Sequence, residues 1–568
     1  MPRSAFDTHL HLIGGTGKGK TTALHTILQQ LMDDPVDESA FFIIDRLGNF
    51  SFELLLWMAS EYCPSDVRER LLYIQPSNED VILGFNPLTY ETEAHGYFKV
   101  TRTTDIILRA WEDVNIEAMP RLARWTFNSF WAMAYLGLTV SDCAHLLFPG
   151  SKHHEPLLRC LPPGLKTEWD SLLKTRSSEV ERILDSTRNR LKPYLENPIL
   201  NRMFGTTHNG FNVEQLMKDR RIVILDLSPR NRLDGQVADA IGGLVLNEIL
   251  AVARSFPIGV RYPTYVVLDE FQNFVGPDIE HAIPEVRQLG IKLMLSHQSF
   301  SQLQRGDHDL TNLIFQAQSR LIFGVQGEDA ELLASECGSL SFNPKKVKDE
   351  IYSRRQLIAG HKREKVKSMS TSQSCVDQWN KTYGESWSRK DSVSKRDGSY
   401  IETKNEGQDR GENQGRSEGQ SRSETYGETE GETFLPIYDN FQELSSRTYY
   451  SFDEQRSLWA QKIRQLSRGR ALLRLVDDPK LYDIDIKQMA VGYLKWPTYQ
   501  LREELPEVIE EVEELIQENF ASEAFTSPAV IDREREERIN RVISPKVVIS
   551  TETSVDAADD PFFQSTSD

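Results

Sequence analysis

Cysteine is scarce: the 568 residues hold five, Cys63, Cys143, Cys160, Cys337 and Cys375, with no C-x-x-C pair among them. An odd, scattered set supports neither a disulfide frame nor a zinc site and fits a reducing compartment. Long apolar runs are missing too. The longest, FELLLWMA and LVLNEILAVA, are too short or too interrupted to span a bilayer, and no basic segment with an apolar core opens the chain. The expectation is a cytoplasmic protein with no integral membrane segment. Positive charge is in deficit, 66 Lys and Arg against 85 Asp and Glu, a net charge of −19. Such a chain does not coat nucleic acid over its whole surface, so any contact is confined to a basic patch or a pore. The remaining composition, 39% apolar and 27% charged, fits a globular chain long enough for roughly two to four domains.

What is present begins at THLHLIGGTGKGKTTALHTILQQLM (8–32): an alternating apolar run, a glycine-rich turn, then apolar residues at helical spacing. Gly14, Gly19, Lys20 and Thr21 satisfy G-x-x-x-x-G-K-[ST]. In such a loop, here Gly14, Gly15, Thr16, Gly17, Lys18 and Gly19 leading into Lys20, Thr21 and Thr22, backbone N–H groups converge on phosphates, the lysine reaches the β and γ phosphates, and the threonine hydroxyl ligates Mg²⁺. The following helix points its N-terminal dipole at the same anion. ATP and Mg²⁺ are the expected ligands. An ordinary glycine-rich turn is the plain alternative, and the strand before and helix after weigh against it.

TYVVLDEFQNF (264–274) runs a β-branched strand into Asp269 and Glu270. Alone, it reads equally as an edge strand reaching water. Paired with the glycine loop it reads as a Walker B strand, in which Asp269 holds Mg²⁺ through its water shell and Glu270 polarises the attacking water. One strand later, IKLMLSHQ ends on Gln298, placed to sense the γ-phosphate or simply to cap the next helix. Arg287 precedes that strand and is either a transition-state cation, for its own site or a neighbour's, or a solvated arginine. Asp45 and Arg46 end FFIIDR at the same sheet edge, where a turn is as good a reading as a functional role.

Along the chain, residues 1–85 read as the first part of an α/β core with a mostly parallel sheet, 86–215 as an all-helical insertion, and 216–362 as the second part of the core. Residues 363–433, rich in Ser, Glu, Gly and Arg and poor in aliphatics, are expected to be disordered; a charged helical arm is the alternative. Residues 434–500 return as a small segment with a hairpin, and 501–568 form an acidic tail whose stretch LREELPEVIEEVEELIQENF is expected as a solvated helix.

YVVLDEFQNF, EVRQLGIKLMLSHQSFSQL, LIFQAQSRLIFGVQGEDAELLASECG, LLYIQPSNEDVILGFNPL and GFNVEQLMKDRRIVILDLS together resemble the HerA/FtsK superfamily, and within it the TraG/TraD-like coupling ATPases of type IV secretion and conjugation. The resemblance covers about residues 8–362 and, more weakly, 436–490. It implies a RecA-like P-loop core and a ring-forming motor, usually hexameric, that threads DNA by ATP hydrolysis, served by a relaxase or a membrane secretion channel. It carries Lys20 and Thr21 onto the Walker A positions, Asp269 and Glu270 onto Walker B, Gln298 onto the sensor glutamine, and Arg287 onto the arginine before that strand. Two departures stand out. The family's N-terminal membrane helices or β-barrel are not seen before the glycine loop, and Lys18 occupies a position more often held by a small residue. A HerA-like DNA-processing or defence helicase, a motor for protein substrates, and an ATP-binding switch with little turnover remain as alternatives. Basic candidates for phosphate contact are residues 343–367 and the arginines of RILDSTRNRLK (182–192).

Overall fold

The computed structural model describes residues 1–544 apart from 35, 110–118, 209, 230–232, 258, 275–284, 306–307, 310, 375–385, 397–398, 410–422, 477, 479 and 488–497. Two compact units emerge, Met1–Pro344 with the chain from Ser451 onward, and Lys345–Tyr450.

The main strands, in chain order, are β1 (Leu10–Ile13), β2 (Ala40–Asp45), β3 (Leu71–Ile74), β4 (Ile222–Asp226), β5 (Thr264–Asp269), β6 (Ile291–His297) and β7 (Ser319–Ile322). The second unit holds β8 (Val347–Ser374), β9 (Ser386–Arg396), β10 (Ser399–Asp409) and β11 (Ser423–Tyr449), and the chain returns with β12 (Arg470–Arg474) and β13 (Leu481–Asp485). The helices used below are α1 (Lys20–Met32), α2 (Asn49–Ala59), α3 (Glu93–Arg109), α4 (Pro120–Tyr135), α5 (Ser177–Glu196), α6 (Gly235–Ser255), α7 (Gly327–Ser341), α8 (Phe452–Gln465), α9 (Pro506–Phe520) and α10 (Pro528–Ile543).

A nine-stranded sheet in the order β13-β12-β7-β1-β6-β5-β2-β4-β3 organises the first unit. β7 through β3 are mutually parallel, and β12 and β13 close one edge as an antiparallel hairpin. The β6 strand separates β1 from β5, the RecA-like order expected of a P-loop core. Both faces are covered, so the strands read as unbroken apolar runs rather than alternating ones. Within them, successive side chains still part company: Phe42, Ile44, Val266 and Leu268 enter one core, and Phe41, Ile43, Tyr265 and Val267 the other.

Between β3 and β4 the long elements are helices, and they share the first of those cores with the sheet rather than enclosing one of their own. Trp125 of α4 and Trp169 meet edge to face at 5.1 Å there. α5 buries Val180, Leu184, Thr187, Leu191 and Tyr194, one stripe of its surface. α6 is long and apolar enough to cross a membrane, and 67% of its apolar window is buried inside the fold, as in a core helix.

The helix expected to be solvated near the C-terminus is docked. α9 buries Val508, Ile509, Val512, Leu515 and Phe520 in the second core, and Asn519 makes a two-way clamp on Tyr73 of β3: its Oδ1 accepts from the Tyr73 N–H at 2.9 Å and its Nδ2 donates to the Tyr73 carbonyl at 2.8 Å. The glutamates of EEVEELIQ gather on the other side, so a run that reads as acidic is an amphipathic helix.

The second unit is a pair of two-stranded ribbons, β8 with β11 and β9 with β10. The segment 363–433, expected to lack regular structure, lies partly outside the described residues; its described parts, 363–374, 386–396, 399–409 and 423–433, are strand. Opposite charge across the ladder supplies what aliphatic residues do not: Arg355 pairs with Glu443 at 3.1 Å and Arg447 with Glu350 at 2.7 Å, while Arg363 lies over the Phe434 ring at 5.2 Å.

Candidate nucleotide site

The glycine loop is shaped by close approaches that only glycine allows. A Cβ on Gly14 would stand 2.4 Å from the Phe323 Cβ, and Gly19 holds φ +108°. The Gly15 N–H donates to the Gly324 carbonyl at 2.9 Å, bracing the loop on the chain that leaves β7. α1 starts at Lys20 with Gly19 at its N-cap, no side-chain cap and no acid in its first turn. Its amide donors are thus left for an anion.

Lys20 is 8% exposed, and its Nζ donates to the Gly14 carbonyl at 2.5 Å. Burial pulls its pKa down, and Glu270 and Asp269 pull it back up. A buried ammonium with two carboxylates near it and open space at Gly17 in the loop fits a polyphosphate bridged by a divalent cation. Among the described residues no group of three His, Cys, Asp or Glu could hold a metal alone, as expected where most Mg²⁺ ligands are waters and phosphates.

β1 and β6 pair with Ile13 opposite His297, and β5 and β6 with Asp269 opposite Ser296. This register brings the loop, Asp269, Glu270 and Gln298 to one carboxyl edge. Burial, with Asp45 as the next cause, raises the Asp269 carboxyl to about 6. Glu270 sits at φ 55°, ψ 49°, a left-handed conformation unusual for a glutamate. Its two oxygens are separately held: Gln298 Nε2 donates to Oε1 at 2.6 Å and Gln272 Nε2 to Oε2 at 2.7 Å. The Thr16 hydroxyl donates to Gln298 Oε1 at 2.8 Å. A continuous chain of hydrogen bonds therefore runs from the phosphate loop through Gln298 to Glu270.

Arg287 is not brought into this site. It is exposed in the turn before β6, at the amino end of a seven-residue strand whose carboxyl end carries Gln298, about 23 Å of extended chain away. The fold does not bring it to its own chain's phosphate loop. Asp45 resolves as a turn residue: its carboxylate accepts from the Leu47, Gly48 and Ser51 N–H groups at 2.9, 2.9 and 2.7 Å. Arg46 is bound to Asp239 at 2.6 Å. Lys18 turns from the phosphates toward the segment after α8, donating to the Leu466 carbonyl at 3.1 Å, while its own carbonyl accepts from the Gly469 N–H at 3.0 Å. Two of the arginines of 182–192 are paired on their own helix: Arg182 faces Glu179, and Arg188 is held by Glu181 and Asp185, all on α5.

Sequence reasoning missed Gln272, whose only signal was its place two residues past Glu270. It also missed a buried polar chain beneath the loop, His297–His11–Arg320, which Glu336 of α7 joins to Arg474 of β12.

Two family models match the sequence, the central domain of helicase HerA over residues 2–249 and the TraM recognition site of TraD and TraG over residues 263–374. Over these two stretches the chain is similar to the HerA/FtsK superfamily that its motifs resemble. The chain is also similar to solved structures of a bacterial conjugative coupling protein: TrwBdeltaN70 in an unbound form (13% identity, 86% of this chain and 87% of that one, TM-score 0.47) and TrwB with ADP and Mg²⁺ (12%, 87% and 88%, TM-score 0.46). Among curated proteins none matches.

Proposed function

We propose that the chain is an ATP-hydrolysing motor that moves DNA, assembled as a ring of identical subunits in conjugative or mobile-element transfer. The observation that carries this reading is the hydrogen-bonded chain Thr16–Gln298–Glu270, which ties the phosphate loop to the acid that would activate water. A protein that only binds nucleotide has no use for a glutamate held in a strained backbone conformation with both oxygens oriented.

The residues divide the work as follows. The loop from Gly14 to Gly19 and the amides opening α1 bind the phosphates, Lys20 neutralises the β and γ oxygens, and Thr21 with Asp269 would hold Mg²⁺, which supplies charge neutralisation on the phosphates when bound. Glu270 takes the proton of the attacking water. Gln298 fixes that carboxylate and, through Thr16, registers whether the loop is filled. Arg287, exposed and remote from its own site, supplies a cation to the next subunit's nucleotide. The basic strand residues of 343–367 are the remaining candidates for DNA phosphates. TrwB, which has been solved with ADP and Mg²⁺ and with an ATP analogue, gives a precedent for the ligand.

The test is ATP turnover with and without single- and double-stranded DNA, alongside the mass of the particle. DNA-stimulated hydrolysis by an oligomer supports the motor. Turnover indifferent to both nucleic acids, or a chain that stays monomeric with ATP, Mg²⁺ and DNA, overturns it.

A further inference from the structure

The ribbon β8–β11 is an unusual object to leave by itself. Its strands are 28 and 27 residues long, about 90 Å at the strand rise, whereas an isolated two-stranded hairpin is marginal in water. Each strand has one neighbour among the described residues, so the outer backbone edge of both is unpaired. Opposed residues of an antiparallel pair share a face, and both faces carry apolar side chains in the open. Leu357 and Phe441 lie on one face, Ile358, Phe434 and Tyr438 on the other, and each is 48–59% exposed. Long, exposed, apolar edges of this kind are templates for strand addition.

Charge says which strand can be added. β8 carries seven Lys and Arg against three Asp and Glu, and β11 six Asp and Glu against one Arg. Pairing β8 with β8, or β11 with β11, would set like charges side by side. Pairing β8 with β11 sets opposite ones, and because the two strands run in opposite directions it continues the antiparallel ladder.

We propose that the basic β8 edge of one copy of this chain pairs with the acidic β11 edge of the next, so that the ribbons of successive copies close into an antiparallel β-barrel. Such a contact uses two different surfaces, so it is head-to-tail, the kind that generates rings when the rotation closes. Closure removes both free edges at once. It also turns one face of each ribbon inward, which takes the apolar residues of that face out of water. Pro436 of β11 lacks an N–H, so one rung of the ladder is missing in each copy. The inference rests on the ring reading above and adds the surface that builds the ring.

Two full-length variants test it. One reverses the basic edge, Lys362→Glu with Arg363→Glu and Lys365→Glu. The other reverses the acidic edge, Glu428→Lys with Glu430→Lys and Glu432→Lys. In the first both edges are acidic, in the second both are basic. Particle mass is measured for each alone and for an equimolar mixture, at low and high salt, with the chains carrying different tags.

The expected result is that neither variant alone reaches the parent's mass, that the mixture does so with both tags in one particle, and that salt weakens the assembly. A ribbon that merely failed to fold in each variant would not be rescued by mixing, so a mixture that stays dissociated overturns the proposal. Parental assembly by either variant alone overturns it too, and leaves the motor reading standing. Normal assembly of the basic-edge variant with lost DNA binding would assign β8 to nucleic acid instead. A parent chain that never assembles removes the ring reading and this interface together.

Discussion

His11 Nε2 lies 2.7 Å from His297 Nε2, joining the strand that enters the phosphate loop to the strand that ends at Gln298. The tautomers follow from the neighbours. His297 Nδ1 is 3.0 Å from the Ser299 carbonyl, which can only accept, so that nitrogen carries the hydrogen. Burial holds both imidazoles below their ordinary pKa and hence neutral, so His297 Nε2 accepts from His11 Nε2–H. His11 Nδ1 in turn accepts from Arg320 Nε at 2.8 Å. The chain is polarised in one direction, from a buried guanidinium to the carbonyl next to Gln298.

The amide of asparagine can donate where His297 Nδ1 donates, and that of glutamine reaches the Nε2 position instead. His297→Asn should therefore keep the Ser299 bond and most turnover, whereas His297→Gln should lower kcat by about 10-fold, the ~1.4 kcal/mol of an orphaned carbonyl, with KM for ATP little changed. Steady-state kinetics beside melting curves checks this. Equal kcat in two equally stable variants would deny the bond any part in placing Gln298.

Lys20→Ala should weaken nucleotide binding by ~100-fold or more, since a charge-assisted contact to phosphate is lost and nothing else in the loop is cationic and aimed inward. Calorimetric titration reads it. An affinity within a few-fold of the parent would show that the phosphates bind elsewhere.

Glu270→Gln should leave binding intact and lower kcat by roughly 10²–10⁴-fold, the usual loss for a general base. Single-turnover hydrolysis with saturating ATP isolates the step. Unchanged chemistry there would move the base to another residue.

Asp269 gives a pH signature in the Mg²⁺-free protein. Its carboxyl, raised to about 6 chiefly by burial, still holds a proton where the unfolded chain, near the ordinary value of about 4, has lost it. The native state binds more protons across that window, so stability falls as pH rises from about 4 through 6 and the full cost is present above it. Asp269→Asn should be more stable than the parent by ~1–3 kcal/mol at pH 7.5, with the gap shrinking toward pH 5. Denaturant melts at the two pH values decide it; a gap independent of pH would mean that packing, not charge, sets the difference.

Asn519→Ala should cost ~1–3 kcal/mol, because the Tyr73 N–H and carbonyl lose their partner inside the second core. Chemical unfolding measures the loss, and a change under 0.5 kcal/mol would mean that water replaces the amide.

Much of the core was legible because its signals are local. A strand, a glycine turn and a helix follow one another within 32 residues, and the two acids end a β-branched run. What escaped is what depends on partners far along the chain. His11 and His297 are 286 residues apart and Lys18 and Leu466 are 448 apart, and neither pair has a spacing to read. The α9 helix reads as solvated because its six glutamates are as many as its buried residues, although the apolar set at 508, 509, 512 and 515 keeps helical period. Arg287 shows the converse limit: it adjoins a site strand in sequence but lies at that strand's amino end, which spacing alone does not reveal.

The strap on the phosphate loop is made wholly at the partner's main chain, the Leu466 carbonyl and the Gly469 amide. Replacing side chains at 466–469 would leave both bonds available, whereas adding or deleting a single residue there would throw them out of step. Length, more than identity, is thus the property of that tetrapeptide that would govern how tightly the loop's movements are shared with the C-terminal hairpin.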